Sequence, residues 1–111
     1  MDFSSKTENG VRIVAVTGHL ETSCVNEFRE RFLEETEHDA KVILDCSGLE
    51  YLDSSGLATL ISVFKALSAR DTRLVLCGLS EGIFRVIQFT KLDNVLTVTD
   101  TCEQAFEKLR S

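Results

Sequence analysis

Residues 42–57 read VILDCSGLEYLDSSGL, and this stretch decides the fold. It begins inside a near-continuous apolar run, Lys41 to Cys46, of the kind found in strands covered on both faces. A more polar segment, Ser47–Asp53, follows and reads as a loop. It delivers Asp53-Ser54-Ser55-Gly56 to the start of an amphipathic helix predicted over Ser54–Ala69. The apolar stripe of that helix is Leu57, Leu60, Ile61, Phe64 and Leu67, at i, i+3, i+4, i+7 spacing. A buried strand feeding a helix directly is half of a βαβ unit.

The pattern repeats on both sides. Upstream, Val11–Val16 (VRIVAV) reads as a strand ending at Thr17-Gly18. A weaker extended segment over Phe3–Thr7 is joined to it through Asn9-Gly10, a strong hairpin signal. Glu21-Thr22-Ser23 opens a helix with Val25, Phe28, Phe32 and Leu33 on one face. Downstream come a strand at Arg73–Cys77, a helix from about Ser80 to Phe89, and a strand at Val95–Val98. A last helix carries Cys102, Ala105, Phe106 and Leu109 on one stripe, capped by Asp100 or Thr101. The expected fold is α/β, one domain over residues 1–111 with its core at about 11–109, built on a mostly parallel sheet of four or five strands with about four helices. The loops Gly18–Ser23, Ser47–Asp53 and Gly78–Ser80 then gather at one sheet edge, where ligands and partners of open α/β folds usually bind.

Composition narrows the function. The 111 residues carry 12 Lys and Arg against 18 Asp and Glu, a net charge of -6. An acidic chain without a basic block is poorly suited to nucleic acid and to anionic membrane surfaces. No apolar run approaches the ~20 residues of a membrane span. No secretory signal is visible at the start, and a cytoplasmic protein is expected. The four cysteines, Cys24, Cys46, Cys77 and Cys102, lack zinc-ligand spacing and read as reduced, buried thiols. No phosphate-cradling glycine loop is present. Glu30, Glu34, Glu35 and Glu37 lie among basic residues on or near the first helix and read as a solvated face. No metal, cofactor or enzymatic activity is expected. A Ser54–His19–Asp45 hydrolase can be drawn on paper, but the nucleophile-elbow motif is absent and Asp45 falls inside a strand.

The Asp53-Ser54-Ser55-Gly56 turn itself has two readings. Asp and Ser are common helix caps, so capping alone accounts for the four letters. The same helix start, with unpaired N–H donors and the positive end of the dipole, also suits an anion such as a phosphate on Ser54. The outward face of this helix, with Ala58, Thr59, Ser62, Val63 and Ala66 and only Lys65 charged, reads either as a flank covered by the chain's own elements or as a docking surface beside Ser54.

A wider resemblance bears on the choice. From about Val11 to Leu109 the chain resembles STAS domains, and within them the bacterial anti-sigma factor antagonists. The resemblance lies in Val16–Glu21 (VTGHLE), Leu44–Leu57 (LDCSGLEYLDSSGL) and Cys77–Leu96 (CGLSEGIFRVIQFTKLDNVL). It departs from the family at Glu21, where Asp is common, which bears on partner matching and not on fold. What it implies is a binding protein switched by phosphorylation of the Ser that follows the motif Asp, here Ser54. The unmodified form would bind an anti-sigma factor that is itself a serine kinase, and so free a sigma factor. A PP2C-type phosphatase would reverse the modification. The implied partner surface comprises His19, Glu21, Thr22, Asp53, Ser55, Gly56, Leu57, Ala58, Ser62 and Val63. The alternative the resemblance leaves open is a STAS subunit packed into a lipid or ABC transport complex.

Overall fold

The computed structural model describes residues 1–110. Strands β1 (Asp2–Glu8) and β2 (Val11–Leu20) form an antiparallel hairpin. Its turn residues Asn9 and Gly10 both have positive φ, 53° and 76°, as a type I′ turn requires. Then come α1 (Val25–Glu35), β3 (Lys41–Leu52), α2 (Ser54–Ala69), β4 (Arg73–Cys77), α3 (Glu81–Phe89), a 3-10 turn at Leu92–Asn94, β5 (Val98–Thr99) and α4 (Cys102–Arg110). The sheet order is β1-β2-β3-β4-β5, parallel from β2 onward. The expected α/β architecture is therefore present among the described residues, with five strands and four α-helices; Ser111 lies outside them.

Because the strands follow one another in sequence order, right-handed crossovers place α1, α2 and α3 on the same face. The larger core lies there. Val14, Val16, Leu44, Leu74 and Leu76 of the strands meet Phe28 and Phe32 of α1, Leu60, Val63 and Leu67 of α2, and Ile83 and Ile87 of α3. The alternate strand residues Ile13, Ile43, Val75 and Cys77 point the other way. They are covered by Ala105 and Leu109 of α4. Helix α4 is held at its start by a reciprocal cap. Thr101 Oγ1 accepts from the Gln104 N–H at 3.1 Å, and Gln104 Oε1 accepts from the Thr101 N–H at 3.3 Å, the capping-box arrangement.

Three features differ from the sequence reading. First, β2 and β3 do not stop at Val16 and Cys46. They continue as a two-stranded ribbon in which His19 pairs with Tyr51 and Leu20 with Leu52, past two register shifts. The segments read as loops contain Gly18, Ser47 and Gly48, but these residues are accommodated at irregularities of the ladder. Second, β5 is only Val98–Thr99. The Val95 and Leu96 N–H groups bond instead to the Leu92 carbonyl, at 2.9 and 2.8 Å. Third, Cys46 and Cys77 are buried as expected, but Cys24 and Cys102 are only half-buried.

The stripe on α2 is also rotated from its expected position. Its buried residues are Gly56, Thr59, Leu60, Val63 and Leu67. Val63, expected on the docking face, has no exposed surface at all, at 0%. The cause is α1, which packs beside α2 and covers the flank that a single-stripe reading leaves to solvent. Arg29 Nε donates to Ser62 Oγ at 2.9 Å across this seam. Leu57 and Ile61, expected in the core, are half-exposed in consequence, and Ala58 is exposed.

Val63→Arg should therefore unfold the protein instead of weakening docking. A guanidinium without a partner in this core should remove at least ~4 kcal/mol of stability. Ala58→Arg should change it by no more than about 0.5 kcal/mol. Urea denaturation of both variants distinguishes the two positions; a stable, cooperative Val63→Arg variant would contradict the packing.

Candidate functional site

The β2–β3 ribbon carries the site beyond the end of β4. β3 ends at Leu52, and α2 begins two residues later at Ser54. The residue between, Asp53, has extended backbone angles of -92° and -176° and caps α2. Its Oδ1 accepts from the Gly56 N–H at 2.8 Å. Its Oδ2 accepts from both the Thr22 N–H and the Thr22 hydroxyl at 3.1 Å. Its own N–H donates to the Leu20 carbonyl at 3.3 Å. One carboxylate thus fixes the β3–α2 turn to the β2–α1 turn. Donation from the Gly56 N–H above all, with Thr22 adding to it, holds the Asp53 carboxyl below its ordinary value of 3.8 despite the opposing effect of desolvation.

The two serines that follow are placed differently. Ser55 is half-buried, and its hydroxyl lies 3.0 Å from Thr22 Oγ1. Ser54 is exposed in the first turn of α2. Gly56 lets this helix start sit flush on the ribbon: a Cβ there would lie 2.2 Å from the Leu20 carbonyl oxygen and 3.1 Å from Leu52 Cδ1. Only a residue without a side chain fits so close to another backbone.

The remaining candidates separate into two groups. His19 is exposed on the ribbon, its ring edge-on to Tyr51 at 5.6 Å and its Nε2 4.0 Å from a Glu50 carboxylate oxygen. Glu21 contributes main-chain atoms, its carbonyl accepting from the Cys24 and Val25 N–H groups at 2.9 and 3.1 Å. Thr22, Asp53, Ser54, Ser55, Leu57 and Ala58 share the α2 start, whereas Gly56 and Val63 are buried beneath it. Ser62 is turned sideways to Arg29. Two residues outside the sequence-based set share this surface. Ile61 follows Ser54, Leu57 and Ala58 along the outer side of α2, and Tyr51, 48% exposed, flanks His19. Tyr51 is the chain's one tyrosine; once the segment is known to be a strand, its place beside Glu50 and Asp53 marks it. Asp45 belongs elsewhere, with Cys77 and Cys102 on the α4 side. The residues of the paper hydrolase, Ser54, His19 and Asp45, are thus not brought together. No described helix is long and apolar enough to cross a membrane.

The arrangement is a rigid platform, not a cleft. An exposed hydroxyl stands at a helix start beside a fixed carboxylate and a short apolar helix face. Comparison with known proteins identifies the family. Residues 2–105 match the model of the STAS domain, and the chain belongs to this family. It is 33% identical over 106 residues to the anti-sigma-B factor antagonist of Staphylococcus epidermidis, covering 93% of this chain and 96% of that protein. It is 36% identical over 55 residues to the anti-sigma-B factor antagonist of Listeria monocytogenes, a match spanning about half of each, 50% and 48%. The crystal structure of an anti-sigma factor antagonist from Mycobacterium paratuberculosis superposes with a TM-score of 0.89 at 21% identity, over 99% of this chain and 94% of that one. SpoIIAA has the same fold in its unphosphorylated form (TM-score 0.77, 21% identity, 98% and 96% covered). It keeps that fold in its phosphorylated form (TM-score 0.70, 21% identity, 97% and 99% covered).

Two outcomes follow from the turn. Folding lowers the affinity of Asp53 for its proton, so the unfolded chain binds more protons in the acid range. The cap is complete at neutral pH and weakens as pH falls below about 4, through the depressed value. Thermal melts between pH 6 and 2 should show Asp53→Asn, which still caps, with a shallower acid loss than the parent. Gly56→Ala should cost about 1–3 kcal/mol through overpacking against Leu20, read by urea denaturation. A loss under ~0.5 kcal/mol would show that the contact yields easily.

Proposed function

We propose that this protein is a cytoplasmic anti-sigma factor antagonist whose binding is switched by phosphorylation of Ser54. In its unmodified form it binds an anti-sigma factor serine kinase and thereby releases a sigma factor. The kinase writes the phosphate, and a PP2C-type phosphatase removes it. The family and the names of the relatives support the general role. The observation that carries the switch assignment is the contrast between adjacent hydroxyls: Ser54 is exposed, while Ser55 is engaged by Thr22.

A phosphoserine adds about -1.5 to -2 charge near pH 7. In the first turn of α2 that charge meets the positive end of the dipole, a favourable effect of roughly 0.3–1 kcal/mol. The neighbouring Asp53 carboxylate opposes it, but both Asp53 oxygens already accept from N–H and O–H donors. The fold therefore tolerates the group. A partner seated on Ser54, Leu57, Ala58 and Ile61 does not, because it would have to desolvate a dianion at the centre of the contact. His19, Thr22 and Tyr51 extend this surface along the ribbon. Gly56 and Val63 act from beneath, by setting how α2 lies.

Calorimetric titration with the cognate anti-sigma factor kinase tests the reading. Ser54→Ala should bind like the unmodified protein. Phosphorylated protein should bind at least ~30-fold more weakly, the equivalent of about 2 kcal/mol at an interface centre, with no fall in Tm. Peptide mass spectrometry after incubation with kinase and ATP should place the phosphate on Ser54. Phosphate confined to Ser55, or equal affinity of the two forms, would overturn the assignment.

A further inference from the structure

The face of the sheet opposite Ser54 holds two thiols in near-bonding geometry. Cys77 is the last residue of β4, and Cys102 is the first of α4. Their sulfurs are 3.0 Å apart, across 25 residues of chain. That is closer than two sulfurs in ordinary van der Waals contact and about 1 Å from a disulfide bond length of ~2.05 Å. We propose that Cys77 and Cys102 are a reversible dithiol–disulfide site, oxidised by a hydroperoxide such as hydrogen peroxide.

The backbone around the pair is fixed on both sides. Cys77 is paired with Thr99 in the β4–β5 ladder. The Gly78 N–H donates to the Asp100 carbonyl at 3.2 Å. The Thr101–Gln104 box then fixes the first turn of α4. On this proposal the remaining gap closes by side-chain rotation, with these backbone segments held in place. The other thiols are excluded by position. Cys46 faces the larger core on the opposite side of the sheet. Cys24 lies in the β2–α1 turn, its thiol bonded to the His19 and Glu21 carbonyls at 3.3 and 3.4 Å.

The two thiols also differ in access, which orders the chemistry. Cys77 is buried, and burial, the bond with Cys102 and the nearby Asp45 carboxylate all push its thiol up. Cys102 is half-buried and within reach of solvent. The Cys102 thiolate attacks one oxygen of the peroxide, the O–O bond breaks, and the departing oxygen takes a proton and leaves as water. Cys102 becomes a sulfenic acid. The Cys77 sulfur then attacks the Cys102 sulfur, and the sulfenic hydroxyl leaves as a second water, carrying away the Cys77 proton. Two thiols are oxidised to one disulfide, and one peroxide is reduced to two waters. A thiol reductant reverses the change by exchange.

The four cysteines fall in four different tryptic peptides, with Cys77 in residues 74–85 and Cys102 in residues 92–108. The pre-reduced full chain is exposed to hydrogen peroxide, alkylated, digested without reductant and analysed by mass spectrometry. The expected result is a 74–85/92–108 linked pair, intact mass lower by two hydrogens, and a Tm raised by roughly 10 °C, all reversed by dithiothreitol. Cys102→Ser should abolish the link and Cys24→Ser should not. If Cys77→Ala folds poorly, the half-buried Cys102→Ser variant alone carries the comparison. Linkage through Cys24 or Cys46 would overturn the proposal. So would oxidation of Cys102 to sulfinic acid without a link. Asp45, Cys77 and Cys102 also place three ligand atoms within 4.8 Å of one another; a reduced protein that retained stoichiometric zinc and resisted linkage would likewise overturn it.

Discussion

The Asp53 carboxylate is the interaction on which the site depends. It terminates β3, starts α2 and reaches sideways to Thr22, so three chain segments are registered by one side chain. Each of its hydrogen bonds is charge-assisted and therefore stronger than a neutral pair of the same length. A neutral cap would still accept from Gly56, though more weakly. It would not hold the β2–α1 turn through two donors of the same residue. The strength of the cap and the rigidity of the platform are one property.

Rigidity matters because of what surrounds Ser54. A switch that acts by adding charge to a contact surface needs that surface unchanged otherwise. The close seating of α2 on Leu20, possible only with glycine at position 56, removes the slack through which the helix could tilt. Packing against α1 on one flank and the sheet beneath leaves a narrow outer line at the start of α2, Ser54, Leu57, Ala58 and Ile61, facing outward. On the proposed function, phosphate on such a line would alter recognition more than stability, since the helix end that must accept it carries complementary partial charge.

The sheet divides the molecule chemically. Side-chain alternation sends Val42, Leu44 and Cys46 toward α1–α3, and Ile43 and Asp45 toward α4. Ser54 belongs to the first side and the Cys77–Cys102 pair to the second. The two proposed modifications, thiol oxidation and serine phosphorylation, would therefore fall on opposite faces of one sheet, with no shared side chain. The α4 side is the thinner layer, covered by one helix of nine residues. A covalent tie to β4 has more to stabilise there than in the three-helix layer.

Much of this was legible in one dimension. Period-two and period-3.6 apolar patterns are direct consequences of strand and helix geometry, so the alternation of elements, the Asn9-Gly10 turn, the bounds of α2 and β4 and the parallel sheet all follow from the order of residues. A cap in Asp53-Ser54-Ser55 follows from local chemistry, and the resemblance of Leu44–Leu57 to STAS domains from the letters themselves. What depends on neighbours distant in sequence was not legible. The β2–β3 ribbon persists through glycines and serines because each strand supplies the other's hydrogen bonds. Val63 is buried because α1 lies against a flank whose composition alone reads as surface. Thr22 belongs to Asp53, 31 residues away, and Cys77 to Cys102 because β5 returns the chain beside β4. Local pattern records which faces are apolar; only tertiary packing, which brings separate segments within bonding distance, decides how many of those faces are covered and which polar groups meet.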